Sequence, residues 1–274
     1  MHKVLDAEQI ASFHERGLLQ VDFGFDASHL DAIVAEVDQL YDDEFRSNPL
    51  APTRVQDAWK TVDPVRRLAV NENVLHALEQ LLERKPLPFQ TLNFPIGTSQ
   101  CAHSDTIHFN TMPEGYMVGV WVALEDIDLD NGPLIYYPGS HKLPYYSMQD
   151  LGLEHGYEHY HEYEQCIQDL IDQHELQPQY GEVKKGEAII WHANLLHGGA
   201  PRKDLQRSRH SQVTHYYFEG CKYYTPMLSA PGKPDFRQPF WIPQTAEFSL
   251  TDDPVSMSIF ARAWRKLKIV TGIK

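Results

Sequence analysis

HSDTIHFNTMPEGYMVGVWVALEDIDLDNGPLIYYPG, residues 103–139, carries the patterns from which the fold class follows. Within it YMVGVWVALEDI (116–127) and PLIYYPG (133–139) are short runs rich in β-branched and aromatic residues, and Gly, Pro, Asn and Asp bound them. That pattern marks strands joined by tight turns. It recurs outward on both sides, in PFQTLNF (88–94), EAIIWHA (187–193) and SQVTHYYFEG (211–220), and the segment around HSDTIHF itself reads as a strand. Six such runs predict a β-sandwich or barrel.

Ahead of the strands the period is helical. Asp6 can cap a segment carrying Ile10 and Phe13, and DASHLDAIVAEVDQLYDDEF (26–45) sets Leu30, Ile33, Val34, Val37 and Leu40 at helical spacing. NENVLHALEQLLERK (71–85) forms a third helix that stops before Pro86 and Pro88. A Tyr-, His- and Glu-rich insert at 145–180, with the helical candidate EYEQCIQDLIDQH (162–174), interrupts the strands and reads as an excursion at one mouth of the β domain. TDDPVSMSIFARAWRKLKIV (251–270) predicts a terminal helix with acidic residues first and basic residues last. No repeat or low-complexity linker divides the chain. The expectation is one domain over 1–274: a helical N-terminal segment spanning 1–85, a β core 86–220 and a C-terminal extension 221–274.

Composition narrows the function classes. The 274 residues are 42% hydrophobic, enough for one large core. A formal net charge of −14 disfavours nucleic acid and anionic membrane surfaces, because the overall field would repel both. Cys101, Cys166 and Cys221 are scattered without a CxxC pair, so neither a disulfide framework nor a thiolate zinc site is expected. Without an apolar leader or a long apolar run, the expected location is cytoplasmic and the expected partner a small-molecule substrate.

Chemistry concentrates in three places: HSD at His103 to Asp105, WHANLLHGGAP (191–201) and SRHSQVTHYYF (208–218). On a strand, residues i and i+2 share a face, so His103 and Asp105 project together while Ser104 turns away. A second imidazole from a distant strand would complete two nitrogens and one oxygen on one face of a metal, the facial triad of non-haem iron(II) oxygenases. With 15 histidines a lone HxD string carries little weight; His29 and Asp31 form one too, but in a helical stretch where i and i+2 diverge. For the third ligand, Gly198 and Gly199 favour His197 over His192, because they permit close backbone approach at a crowded site. A 2-oxo-dicarboxylate co-substrate would need a cation for its distal end. Of Arg202, Arg207 and Arg209, Arg209 enters the strand SQVTHYYF and is best fixed. His141, in the turn PGSH, reads as structural. If the strand is regular, the odd offset of His108 from His103 turns it to the opposite face, which leaves it as a candidate group behind the ligands or at the substrate only.

The run from HSD to YYPGSHK, then LLHGGAP and the Arg before HYYF, resembles the phytanoyl-CoA dioxygenase family of iron(II)/2-oxoglutarate oxygenases. The likeness extends to LDAEQIASFHERGLLQVDFGF near the N-terminus and covers about residues 4–220. It implies a double-stranded β-helix, a jelly roll with flanking helices, whose wider mouth holds Fe(II) and admits 2-oxoglutarate and O2. It implies His103, Asp105 and His197 as metal ligands and Arg209 as the co-substrate anchor. Trp121 falls where family members often place an aromatic beside the co-substrate; Asn93 is a candidate polar contact, with Gln90 a weaker one. Ser104 stands where relatives often carry Gln, and Arg209 comes one residue later after the distal histidine than is usual. Halogenating relatives replace the acidic ligand with a small residue; Asp105 is retained, so hydroxylation or another oxidation is the expected outcome. The rival readings are a metal-dependent jelly-roll hydrolase or isomerase and a non-catalytic small-molecule-binding jelly roll.

Overall fold

The computed structural model describes residues 4–41 and 54–246. Its helices are α1 (Ala7–Arg16), α2 (Ala27–Val37), α3 (Asp63–Ala69), α4 (Glu72–Leu82) and α5 (Tyr160–Gln173). Its strands are β1 (Leu18–Asp22), β2 (Val55–Gln56), β3 (Pro86–Phe94), β4 (Asn110–Met112), β5 (Met117–Ala123), β6 (Leu134–Tyr136), β7 (Gln179–Tyr180), β8 (Glu187–His192), β9 (His197–Gly199), β10 (Ser211–Phe218) and β11 (Lys222–Tyr224). The helix predicted at 251–270 lies outside the described residues.

A six-stranded antiparallel sheet in the order β1-β8-β5-β10-β3-β2 faces a three-stranded sheet, β7-β6-β9, in a jelly roll; β11 and β4 pair at its rim. Period-two alternation decides what each face of the large sheet does. Val118, Val120 and Val122 of β5 and Ile190 of β8 pack outward against Leu30 and Ile33 of α2 and Leu78 of α4. Their neighbours Trp121, Ile189, Trp191 and Val213 point inward, where they meet Tyr136 of the small sheet. Because helices cover one face and the second sheet the other, β5 and β10 are buried throughout, and β5 reads as a nearly continuous apolar run. Each fully buried large aliphatic side chain contributes about 1.5–3 kcal/mol, so this two-sided burial fixes the register.

The helix boundaries follow local chemistry. Asp6 caps α1 in a capping box with Gln9, and Gly17, at φ 79°, ends it. Asn71 caps α4 through the backbone N–H groups of Asn73 and Val74. Pro86, expected to follow the helix as a stop signal, opens β3. In the insert, α5 lays Tyr163, Ile167 and Ile171 on Ile107, Met148 and Leu196, walling one side of the barrel mouth.

One expected strand is absent. His103 forms an isolated bridge to His197, and Asp105–Ile107 is a turn of 3-10 helix rather than a strand. Ser104 causes the change: its hydroxyl accepts the Thr106 N–H at 3.2 Å, capping the turn.

Candidate metal centre

Two backbone hydrogen bonds bring the distant segments together: His103 N to His197 O at 2.9 Å and His197 N to His103 O at 3.0 Å. They set the two imidazoles side by side, with ring centroids 4.6 Å apart. Gly198 makes this approach feasible, since a Cβ there would lie 2.5 Å from the Gln100 carbonyl oxygen. Asp105, although it opens the 3-10 turn, still projects to the same side as His103. His103, Asp105 and His197 are all buried and offer ligand atoms within 4.8 Å of one another. His103 Nε2 is 3.7 Å from Asp105 Oδ1, and His197 Nε2 is 3.8 Å from Oδ2.

The tautomers are set by the backbone. His103 Nδ1 lies 3.1 Å from Cys101 O and His197 Nδ1 2.9 Å from Leu195 O. A carbonyl only accepts, so each Nδ1 carries the proton and each Nε2 keeps its lone pair for a metal. Burial pushes the His103 imidazole down to about 3, which favours the neutral, ligating form. For Asp105 burial alone would raise the carboxyl, but His197, His215 and His103 around it prevail and hold it well below the usual carboxylate range.

Asp105 has two further neighbours that sequence reasoning missed. Trp191 Nε1 donates to Asp105 Oδ2 at 2.8 Å, and His215 Nε2 lies 3.7 Å from the same oxygen, its Nδ1 3.1 Å from Gln90 Oε1. His215 shares a face of β10 with Val213, so counting by twos along the strand could have found it. Trp191 fits only because its β-sheet neighbour is Gly119, where a Cβ would overlap the indole. Gly119→Ala is therefore expected to cost about 1–3 kcal/mol by overpacking and to lower metal affinity roughly ten- to hundredfold through the displaced Trp191 N–H. A thermal melt and a metal titration of the variant check both.

Folding also suppresses protonation away from the centre. Burial pushes His192 down to about 3, and its Nδ1 accepts the Asn194 N–H at 3.1 Å, so it serves the loop rather than the cluster. Neutral in the fold, His103 and His192 charge only in the unfolded chain as pH drops below its ordinary histidine range of about 6.5. The sign follows: the unfolded state then binds more protons, so stability is whole above that range and declines below it, until the folded-state values near 3 are reached. The expected loss for the metal-free chain is roughly 1.4 kcal/mol per pH unit for each imidazole, readable from urea unfolding at pH 7, 6 and 5.

The cluster opens into a cavity of about 580 Å³. Arg209 lines it and is only 2% exposed. Its backbone N–H donates to Pro95 O at 2.8 Å and Nη1 to Ser211 Oγ at 3.0 Å. Its Cζ stands 5.7 Å from the ring centroids of both Phe94 and Trp121. Arg209 Nε and Trp121 Nε1 are buried donors without a hydrogen-bond partner, and among the described residues no carboxylate pairs with this guanidinium. Desolvation lowers Arg209 to about 10, which leaves it charged at neutral pH. A buried cation beside a second orphaned donor is a seat for an anionic acceptor.

Two expectations need correction. Asn93 does not line the cavity: on β3 the inward positions are Gln90, Leu92 and Phe94, and Asn93 faces outward with Nδ2 on Gln212 Oε1 at 3.3 Å. Gln90, the weaker candidate, is the one on the cavity wall. His108 does line the cavity, because the 3-10 turn cancels strand parity; its ring stacks on Tyr157 at 5.7 Å between centroids, with Nδ1 3.3 Å from the Tyr157 hydroxyl. His141 is structural, its Nε2 3.0 Å from His14 O. No helix among the described residues is long and apolar enough to cross a membrane.

Comparison with known proteins agrees with this geometry. The phytanoyl-CoA dioxygenase (PhyH) family model matches residues 1–211. Phytanoyl-CoA dioxygenase 1 of Oryza sativa subsp. japonica is 28% identical over 193 residues, 65% of this chain and 62% of that protein. Ectoine dioxygenase of Halomonas elongata is 27% identical over 217 residues, 71% of this chain and 64% of that protein. The chain thus matches less than two thirds of the length of these relatives. Among solved structures, iron-bound EctD from S. alaskensis superposes with a TM-score of 0.64 at 19% identity, covering 91% of this chain and 87% of that one. The 2-oxoglutarate-dependent carbocyclase SnoK from nogalamycin biosynthesis also gives 0.64, at 15% identity over 80% of this chain and 86% of that one. Those two likenesses bear on the jelly-roll fold; the family match covers most of the sequence, and the chain belongs to the phytanoyl-CoA dioxygenase family.

Proposed function

We propose that this chain is an Fe(II)- and 2-oxoglutarate-dependent dioxygenase that hydroxylates an unactivated C–H bond of a small molecule, with release of succinate and CO2. One observation carries the reading: a buried cluster of two imidazoles and one carboxylate shares a cavity with a buried guanidinium that lacks a carboxylate partner among the described residues. His103, Asp105 and His197 would hold the iron, and their donor set suits it: two neutral nitrogens with backbone-fixed tautomers and one ionised oxygen. The bound iron and co-substrate supply the oxidising chemistry.

The chain's own residues bind, orient and exclude. Trp191 holds the Asp105 carboxylate in place through its indole N–H. Arg209, fixed by Ser211 and the Pro95 carbonyl, receives the distal carboxylate of 2-oxoglutarate with its planar fork. Trp121 lends its free indole N–H and its face to the same end of the cavity. Retention of Asp105, where a halide would need space, supports hydroxylation as the outcome. A hydrolase, an isomerase that works without 2-oxoglutarate or a binding jelly roll has no use for a carboxylate anchor buried beside the metal, so Arg209 weighs against each. Anaerobic titration of Fe(II) and 2-oxoglutarate tests the reading. A weak visible charge-transfer band is expected, and neither band nor succinate formation with any of a metabolite library would overturn it.

A further inference from the structure

The cavity has more positive charge than the chemistry above requires. In a chain with 38 acidic and 24 basic residues, the charged groups lining this cavity among the described residues are Asp105, Arg54, Arg209 and Arg237, three guanidiniums against one carboxylate. If the oxygenase reading holds, divalent iron, the Asp105 carboxylate, dianionic 2-oxoglutarate and Arg209 balance to neutrality. Arg54 and Arg237 are then left over, and among the described residues no carboxylate forms an ion pair with either.

Arg237 stands apart from Arg209. Its Cζ lies 4.6 Å from the Phe109 ring and 5.8 Å from the Phe89 ring, whereas Arg209 sits by Phe94. Phe89 and Phe94 are five residues apart on β3, roughly 16 Å of strand. Arg237 is also held: its backbone N–H donates to Tyr223 O at 2.8 Å and Nη1 to His108 O at 3.1 Å, which leaves its other N–H groups unused. Arg54 precedes the edge strand β2, is exposed at the cavity mouth and has no side-chain partner among the described residues. Both line the one cavity and the positive charge of both is felt at the stacked pair His108 and Tyr157, with Arg54 starting from the level of Phe94 by the register of β2 on β3. His108 is itself pushed down to about 4 by burial and adds no charge there at neutral pH.

We infer that Arg54 and Arg237 form a substrate anion site in the part of the cavity walled by His108 and Tyr157, so that the molecule oxidised here carries a carboxylate or phosphate group beside an apolar or aromatic portion that packs on Phe109 and Tyr157. This rests on the oxygenase reading for the word substrate, though not for the anion site. A flat guanidinium lying over an aromatic ring keeps its edge free for two oxygens, which is the geometry either anion needs. The Phe89 and Phe109 rings beside Arg237 strengthen its hold on an anion by excluding water, while the exposed Arg54 adds charge at the mouth.

The test uses the full chain under anaerobic Fe(II) and 2-oxoglutarate, with phenylacetate, phenyl phosphate and neutral phenylacetamide as probes. Binding is read by calorimetry and by perturbation of the iron band. The anionic probes are expected to bind roughly ten- to hundredfold more tightly than the amide. Arg54→Gln and Arg237→Gln should each remove most of that difference while 2-oxoglutarate binding stays within about twofold. Arg237→Lys should recover part of it. Whichever anion binds more tightly assigns the group as carboxylate or phosphate. Arg54 makes no side-chain contact that the fold could miss, so its variant decides if Arg237→Gln fails to fold. Equal binding of acid and amide, or indifference to Arg54→Gln with the iron band present, overturns the anion site alone. Loss of the band in the wild-type chain with charge-selective binding intact overturns the oxygenase reading and leaves the anion site standing.

Discussion

Replacement of Asp105 by alanine is expected to lower Fe(II) affinity by at least about a hundredfold, beyond the ten- to hundredfold typical of changes behind the ligands. The carboxylate is the one anionic member of the cluster, and the cavity's other charged groups are cationic. Without it a divalent ion would face two neutral imidazoles in a field set by three guanidiniums. Stability should respond far less. Deletion strands the Trp191 N–H, at about 1–3 kcal/mol, but also removes a carboxylate that was costly to bury. Asp105→Asn separates the two roles. It keeps an acceptor for Trp191 but gives up the charge, so it should preserve the melting temperature and still bind iron poorly. Anaerobic competition against a coloured ferrous chelator, paired with thermal melts, measures both. Wild-type iron affinity in Asp105→Asn would mean that the carboxylate merely satisfies Trp191.

Arg209→Met should have opposite effects on binding and on folding. Removing one partner of a buried charge pair costs about 2–5 kcal/mol, so 2-oxoglutarate affinity should fall by roughly thirtyfold or more. The ligand-free protein, by contrast, buries this guanidinium with Nε unsatisfied and, among the described residues, no carboxylate in an ion pair with it, the Glu125 charge acting only from a distance. An apolar chain of similar length is expected to be neutral or stabilising there, by as much as about 4 kcal/mol. The wild-type chain should therefore melt higher as 2-oxoglutarate is added with an inert divalent metal, because the ligand binds the folded form. Arg209→Met should start as high or higher and not respond. Arg209→Lys, which keeps the charge without the fork, should respond weakly. A variant that still gains stability from 2-oxoglutarate would place the anchor elsewhere.

Several features of the site were legible before any coordinates because they depend on neighbours in sequence. HSD needs only an extended backbone to put two donors on one side, and His103 and Ser104 supply it. His197 stood out through its glycines, and Gly198 does permit the crossing of Gln100 that the bridge requires. Errors arose where a local event reset the count. The Ser104 hydroxyl turned the chain into a 3-10 helix and brought His108 into the cavity. Asn93 and Gln90 were ranked by residue type, yet the phase of β3 decides between them, and that phase depends on pairing with β10. Nothing in the sequence marks Trp191, because its bond to Asp105 spans 86 residues and leaves no trace in spacing.

Local pattern alone specifies most of the strands and helices, and the short-range pairing of one imidazole with one carboxylate, because alternation and capping are read over a few residues. Which remote groups meet is settled by the assembled sheets. The closing of the sheets brings His197 to His103, sets Trp191 and His215 against Asp105, and leaves Arg209 and Arg237 at different ends of one cavity. Such meetings depend on register and on the space that single glycines leave, and the chain expresses those only once both faces of the sheet are buried.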